Sequence, residues 1–285
     1  GRISDECREG RSRQRGVAKK HQNRKSMKKE RRGIQSVEVG GQLLEALVSE
    51  GAPMLLRDLA QKAGMTSAKA HPYLVSFGNI GLIQQDPVSG RYELGSFALQ
   101  MGLISLQLLD PVKIALPETA ELCEQVQHTV ALAVLGNCGP TIVHLNESRL
   151  PVHVKMRTGT VMSILNTATG RVFSAYLPAM QVEKLSAREL GDDSVAGHTG
   201  KKMTKEDLEA MLGEVRRHGM ARTVGDPTAG INAISAPVFD HAGNMVLAVT
   251  IIGPLGSLDA EWDGAASVQL KACAARISQR LGYSL

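Results

Sequence analysis

Between residues 36 and 95 the chain repeats one short device: an apolar helical stretch brought to a stop by glycine. Ser36 is expected to cap the first helix, which reaches to about Ser49 with Val39, Leu43, Leu44, Leu47 and Val48 on one stripe. Gly51-Ala52-Pro53 breaks it. The second helix turns Leu56, Leu59, Ala60 and Ala63 inward, and Gly64 ends it in the left-handed conformation. Thr66 or Ser67 caps a third, running to about Phe77, with Leu74 and Phe77 facing the core and Gly78 as its stop. Leu82–Gln85 and Arg91–Leu94 then read as strands around the turn residues Asp86-Pro87-Val88-Ser89-Gly90. Three short helices followed by a hairpin, in so short a span, is the pattern of a winged helix-turn-helix.

The next stretch, Ser96 to Leu109, carries Phe97, Leu99, Met101, Leu103, Ile104, Leu106, Leu108 and Leu109. Its apolar residues go nearly all round, so one face cannot bury them, and enclosure by a second subunit is expected. After Asp110-Pro111 a helix over about 112–127 leads into an alternation of strand and helix. Strands are expected at 129–135, 141–145, 152–156, 231–239 and 245–252, with turns at Asn137–Pro140 and Asp240–Asn244. Helices are expected at 168–177, 179–190, 205–218 and 263–281. The order predicts an α+β domain, a mostly antiparallel sheet with helices over it.

Charge divides the chain sharply. Residues 1–33 hold thirteen Lys/Arg and four acids, a net +9, while the other 252 residues hold twenty bases and twenty-four acids, a net −4. The arm is nearly free of apolar residues and is expected to be disordered when free. Met27-Lys28-Lys29-Glu30 resembles a natural start, and residues 1–26, with nine bases and three acids, are expected to be either native or a tag or upstream translation. Without them the chain would carry −1, so overall basicity is no argument for nucleic-acid binding.

Cys7, Cys123, Cys138 and Cys273 are far apart and form no metal-ligand pair, which fits a reducing cytoplasm. The longest apolar run, Met245 to Ile252, is far short of a membrane span, so a soluble cytoplasmic protein is expected. The eight histidines are dispersed, and Gly-x-Ser-x-Gly, His-Glu-x-x-His and Walker-type loops are missing. No catalytic residue, metal ligand or cofactor is therefore assigned.

Several segments, in order, resemble the isocitrate-lyase-regulator (IclR) family of bacterial transcription factors. In the first domain they are Leu59-Ala60 through Gly64-Met65, Leu74 and Phe77, Gly81-Leu82-Ile83 and Gly90-Arg91-Tyr92-Glu93-Leu94-Gly95. In the second they are Arg157-Thr158-Gly159, Thr167-Ala168-Thr169-Gly170-Arg171, Gly219 through Gly230, Ala233 through Asp240, and Ile252-Gly253-Pro254. The resemblance implies a DNA-binding domain over 34–95, a linker and dimerisation helix over 96–111, and a GAF-like effector domain over 112–285. It also implies a homo-oligomer (a dimer or dimer of dimers), double-stranded operator DNA and a small-molecule effector as partners, and control of a catabolic operon.

On that reading Ser67, Lys69 and His71, with Thr66 at the cap, face the major groove, and Arg91 on the wing holds a phosphate. Family members commonly carry Arg where this chain has Pro72, whose ring presses on the Ala68 carbonyl; a kinked or broken recognition helix is expected. A sensor protein with weak or lost DNA binding is the alternative that Pro72 raises. The resemblance lines the effector pocket with Ala168, Thr169, Thr223, Ala233, Ser235, Thr250 and Ile252. Gly170 reads either as part of an anion-binding helix start or as a close-packing glycine. Relatives often have Cys or Ser at the Ala233 and Ile252 positions; the more apolar pair here points away from glyoxylate and toward an aromatic or longer carboxylate.

Overall fold

The computed structural model describes residues 33–148, 156–189, 195, 197, 199 and 203–284. The basic arm up to residue 32 and the expected strand at 152–155 lie outside them; Met156, its last residue, is not in a strand. The chain divides into two compact units between Gly102 and Leu103.

In the first unit α1 (Gln35–Glu50), α2 (Leu56–Lys62) and α3 (Ser67–Asn79) precede a hairpin of β1 (Ile83–Gln85) and β2 (Tyr92–Leu94). Ser36 does not cap α1: Ile34 stands at the cap with no side-chain hydrogen bond, and the helix ends on Gly51 in the left-handed region. The buried stripe is Gly40, Leu43, Ala46 and Leu47, whereas Val48 is exposed, because the core faces the Gly40 side of the helix. Gly40 matters there. A β-carbon added to it would lie 2.8 Å from the Phe77 ring, so its absence lets α3 approach α1 closely. Gly78 lies inside α3 rather than stopping it; the reversal falls at Gly81, φ +75°.

Strands of three residues do not stand alone in water. Here Ile83 and Tyr92 bury against Leu43, Leu59 and Leu74, and each large apolar side chain contributes about 1.5–3 kcal/mol on full burial. Tyr92 also pairs with Met54 through backbone bonds of 2.7 and 2.9 Å, an added bridge that the sequence pattern did not reveal. The hairpin turn is held by Asp86, whose carboxylate accepts from the Val88 and Ser89 amides.

α4 (Ser96–Gln107) spans the boundary between the units, and none of its residues is buried. α5 (Pro111–Val126) follows, capped by the Asp110 carboxylate on the Lys113 amide. Next come β3 (Thr129–Gly136), β4 (Gly139–Asn146), α6 (Ala168–Tyr176), α7 (Ala179–Glu189), α8 (Lys205–His218), β5 (Ala221–Val224), β6 (Ile231–Phe239), β7 (Met245–Pro254) and α9 (Ala265–Arg280). β5 was not expected: four residues between glycines are too short for alternation to register. The strands form one antiparallel sheet in the order β4-β3-β7-β6-β5. The first hairpin turn is only Asn137-Cys138, since Gly136 already pairs with Gly139. α9 starts two residues later than expected, at Ala265.

Alternation sorts the sheet into two faces. Val130, Leu132, Ile234, Ala236, Val249 and Ile251 pack against Leu122 of α5 and Leu270, Cys273 and Ile277 of α9. Ala131, Ala133, Ala248 and Ile252 pack on the other side with Phe173 of α6 and Val182 and Leu185 of α7. Small residues dominate that second face, which leaves room above it. No single helix among the described residues is long and apolar enough to cross a membrane.

Candidate nucleic-acid helix and effector cavity

α3 is amphipathic for a local reason. Ala70 and Leu74 are buried, Tyr73 and Phe77 pack on the same core, and the alternate face carries Lys69, His71 and Pro72 exposed. Thr66 is the cap, its hydroxyl accepting from the Lys69 amide at 3.3 Å, and Ser67 is the first helical residue. Of the two outcomes expected at Pro72, a break is not found: α3 runs from Ser67 to Asn79 with Pro72 inside it. The Pro72 carbonyl accepts from the Ser76 hydroxyl at 2.9 Å. Proline removes the donor that would meet the Ala68 carbonyl, and because Ala68 and Pro72 are both exposed, water can satisfy that carbonyl. Arg91 immediately precedes the wing strand β2; one guanidinium nitrogen donates to the Pro53 carbonyl at 3.0 Å, and the side chain is otherwise exposed.

In the second unit one cavity of about 70 Å³ lies between the α6 start and the small-residue face of the sheet. Ala168, Thr169, Thr223, Ala233, Thr250 and Ile252 line it, so residues from four separate stretches of sequence converge. Ser235 does not line it. It stands one step deeper, accepting from the Thr250 hydroxyl at 2.9 Å, while Thr250 and Thr169 share a 2.9 Å hydrogen bond. With the Thr250 proton given to Ser235, Thr169 is the donor to Thr250. All three hydroxyls are buried.

The α6 start is built by Thr167, whose hydroxyl donates to the Ser163 carbonyl at 2.7 Å and accepts from the Gly170 amide at 3.0 Å. The Gly170 amide is thus committed to the cap. Gly170 itself is a close-packing glycine, since a β-carbon there would sit 1.9 Å from the Ser163 carbonyl oxygen.

The sequence did not single out Met156, Met162, Gly197, Asp226, Thr228 and Ile231, which also line the cavity. Asp226 is the one charged side chain among the described lining residues. Near it Arg171 is half-buried and donates to the Leu165 carbonyl at 3.0 Å and the Arg222 carbonyl at 3.1 Å. Burial lowers the Arg171 pKa, and the nearby charges of Asp226 and Glu214 oppose that shift. The guanidinium therefore ties α6 to the edge strand β5 and offsets the Asp226 charge.

A helix-turn-helix with a wing, followed in one chain by a sheet-backed cavity, defines a class: transcription regulators that carry their own effector domain. Residues 104–279 match the bacterial transcriptional regulator IclR C-terminal domain, and residues 36–87 match the IclR helix-turn-helix domain. The glycerol operon regulatory protein of Streptomyces griseus is 32% identical over 260 residues, covering 88% of this chain and 98% of its own. The crystal structure of Pseudomonas aeruginosa HmgR is similar with a TM-score of 0.80 at 34% identity, covering 88% of this chain and 99% of that one. The Agobacterium tumefaciens repressor BlcR shares the fold, with a TM-score of 0.73 at 19% identity and coverage of 88% and 99%. The chain belongs to the IclR family, whose members are transcription regulators and not enzymes.

Proposed function

We propose that this protein binds double-stranded operator DNA through α3 and the wing, and regulates a catabolic operon in response to a small organic effector held in the α6 cavity. The observation that carries the reading is the pairing, in one family chain, of an unbroken α3 bearing exposed Lys69 and His71 with a mostly apolar, partly open cavity that carries a few threonine hydroxyls. On this reading residues 34–95 form the DNA-binding domain, 96–111 the linker helix and 112–285 the effector domain. Thr66, Ser67, Lys69 and His71 meet the major groove and Arg91 a phosphate. A relative of this chain is named for the glycerol operon, in keeping with a catabolic target. The protein acts in the cytoplasm, where its DNA is.

The effector is a small carboxylate. The cavity walls would be Met156, Met162, Ile231 and Ile252, with the backbone amides of Ala168 and Thr169 in the first turn of α6 holding the carboxylate. The mostly apolar lining is in keeping with an aromatic or longer carboxylate. α4 presents Leu99, Met101, Leu103, Ile104 and Leu106 to solvent, and a dimer or dimer of dimers would enclose them.

An electrophoretic shift on the DNA upstream of the protein's own gene tests the reading. A complex that survives excess unrelated DNA is expected, and binding no tighter than to unrelated DNA would overturn it. Native mass spectrometry of the purified protein should reveal one bound small acid per chain.

A further inference from the structure

Among the described residues, two buried side-chain atoms have no hydrogen-bond partner: His128 Nδ1 and Asn232 Oδ1. The two residues are 104 apart in sequence, yet the sheet sets them in one row. Asn232 of β6 is directly opposite Gly253 of β7. Thr129 of β3 is opposite Ile252, which brings His128, the residue before it, alongside Gly253 from the other flank. A β-carbon built on Gly253 would lie 2.7 Å from His128 Nδ1, so the imidazole leans into the space that the glycine leaves. His128 and Asn232 are 7% and 4% exposed.

The remaining polar atoms of both side chains are committed to one turn. Asn232 Nδ2 donates to the Leu258 carbonyl at 2.8 Å, which fixes the amide orientation and leaves Oδ1 as the orphan acceptor. The imidazole bonds to the Ser257 backbone, and burial disfavours its charged form. With Nδ1 unpaired, the nitrogen facing the Ser257 carbonyl is Nε2, the donor, and Nδ1 of the neutral ring is an acceptor. Two acceptors on either side of one glycine cannot satisfy each other. Leaving both buried and unmet is unfavourable.

We propose that His128, Asn232 and Gly253 form a buried site for a single water molecule, which donates one hydrogen bond to His128 Nδ1 and the other to Asn232 Oδ1. The stoichiometry closes: two orphan acceptors and one molecule with two donors. Gly253 lets the imidazole and Leu258 close in, since a β-carbon there would lie 2.7 Å from His128 Nδ1 and 2.9 Å from the Leu258 β-carbon. The site backs the effector cavity, because Asn232 lies between the lining residues Ile231 and Ala233, and Gly253 follows the lining residue Ile252. The water joins β3 to β6 across β7, and through Ser257 and Leu258 it secures the turn behind the cavity wall.

A crystal structure of the full chain at a resolution that orders waters tests this. One peak within about 2.7–3.2 Å of both atoms is expected. A dry gap, or a direct bond between the two side chains, would overturn the proposal. A thallium soak distinguishes the occupant: an anomalous peak at the site means a monovalent cation and rejects water. Nitrogen-15 NMR of the imidazole gives an independent reading in solution. The Nε2–H tautomer is expected for His128, and the Nδ1–H tautomer would sink the assignment.

Discussion

The two units build their candidate sites in opposite ways. In the first, the candidate DNA-contacting groups sit at the start of one helix and just before one wing strand, and all but the half-buried Ser67 are exposed. In the second, the cavity draws on residues from Met156 to Ile252, and its hydroxyl chain is wholly buried. A surface site of the first kind should tolerate side-chain truncation with little loss of fold, changing only what it binds. An interior site cannot be altered without disturbing the packing that creates it. Four substitutions and a pH titration sharpen that contrast.

The largest effect is expected at Gly170. Gly170→Val forces a side chain into the Ser163 carbonyl, and overpacking of this kind costs about 3 kcal/mol or more. Calorimetry should show the effector unit melting many degrees lower, while the helical unit before Gly102 melts as in the wild type. Equal destabilisation of both units would erase the distinction between them.

Pro72 comes next. The proline costs ~3 kcal/mol in a helix interior, so Pro72→Ala should stabilise the first unit by up to that amount. Pro72→Arg adds a cation on the same exposed face. If Ala alone tightens operator binding, helix geometry limits affinity; if only Arg does, the missing contact does. Should neither raise affinity or melting temperature, the backbone around Pro72 is already shaped for proline.

Thr250→Val keeps the shape but removes the hydroxyl between Thr169 and Ser235. Buried partners left unsatisfied cost roughly 1–3 kcal/mol, so chemical denaturation should show a moderate loss confined to the second unit. No change in midpoint would mean that the chain of hydroxyls contributes nothing to the fold.

The sequence pattern revealed most where a signal is local. Gly64, the turn at Asp86–Gly90 and the apolar periods of α2 and α3 act within a few residues, and they located the elements to within one or two positions. It misled where tertiary packing chose among equivalent local options. Ser36 could cap, but the cap falls two residues earlier, at Ile34; Gly78 could stop α3, but the chain reverses at Gly81. The cavity was readable only through family resemblance, because no spacing links Thr169, Thr223 and Thr250. Asp226 and Arg171 as an opposed pair, and Ser235 as support and not lining, needed the fold itself.

The smallest effects concern pH. The Arg276 hydrogen bond, with Arg280 beside it, holds the Glu118 carboxyl below its usual 4.5. Its contribution is present above about pH 4.5 and is lost as pH falls through the folded value. Burial lowers His128 below its usual 6.5, so the unfolded chain takes up a proton first. That stability declines as pH drops below about 6.5. Urea midpoints should therefore fall in two stages on acidification. Glu118→Gln should flatten the lower stage and His128→Gln the upper; a wild-type profile in both variants would contradict these assignments.

The most direct test of two sites in one chain is operator affinity at fixed salt, measured by fluorescence anisotropy on the purified protein with and without an added small carboxylate. For the double variant Lys69→Ala/His71→Ala we expect affinity lower by about tenfold or more, since each good base contact is worth ~1–3 kcal/mol. For Thr250→Val we expect near wild-type affinity without the acid and a blunted response to it. A double variant that binds like wild type, or a Thr250→Val protein that responds fully, would contradict the account.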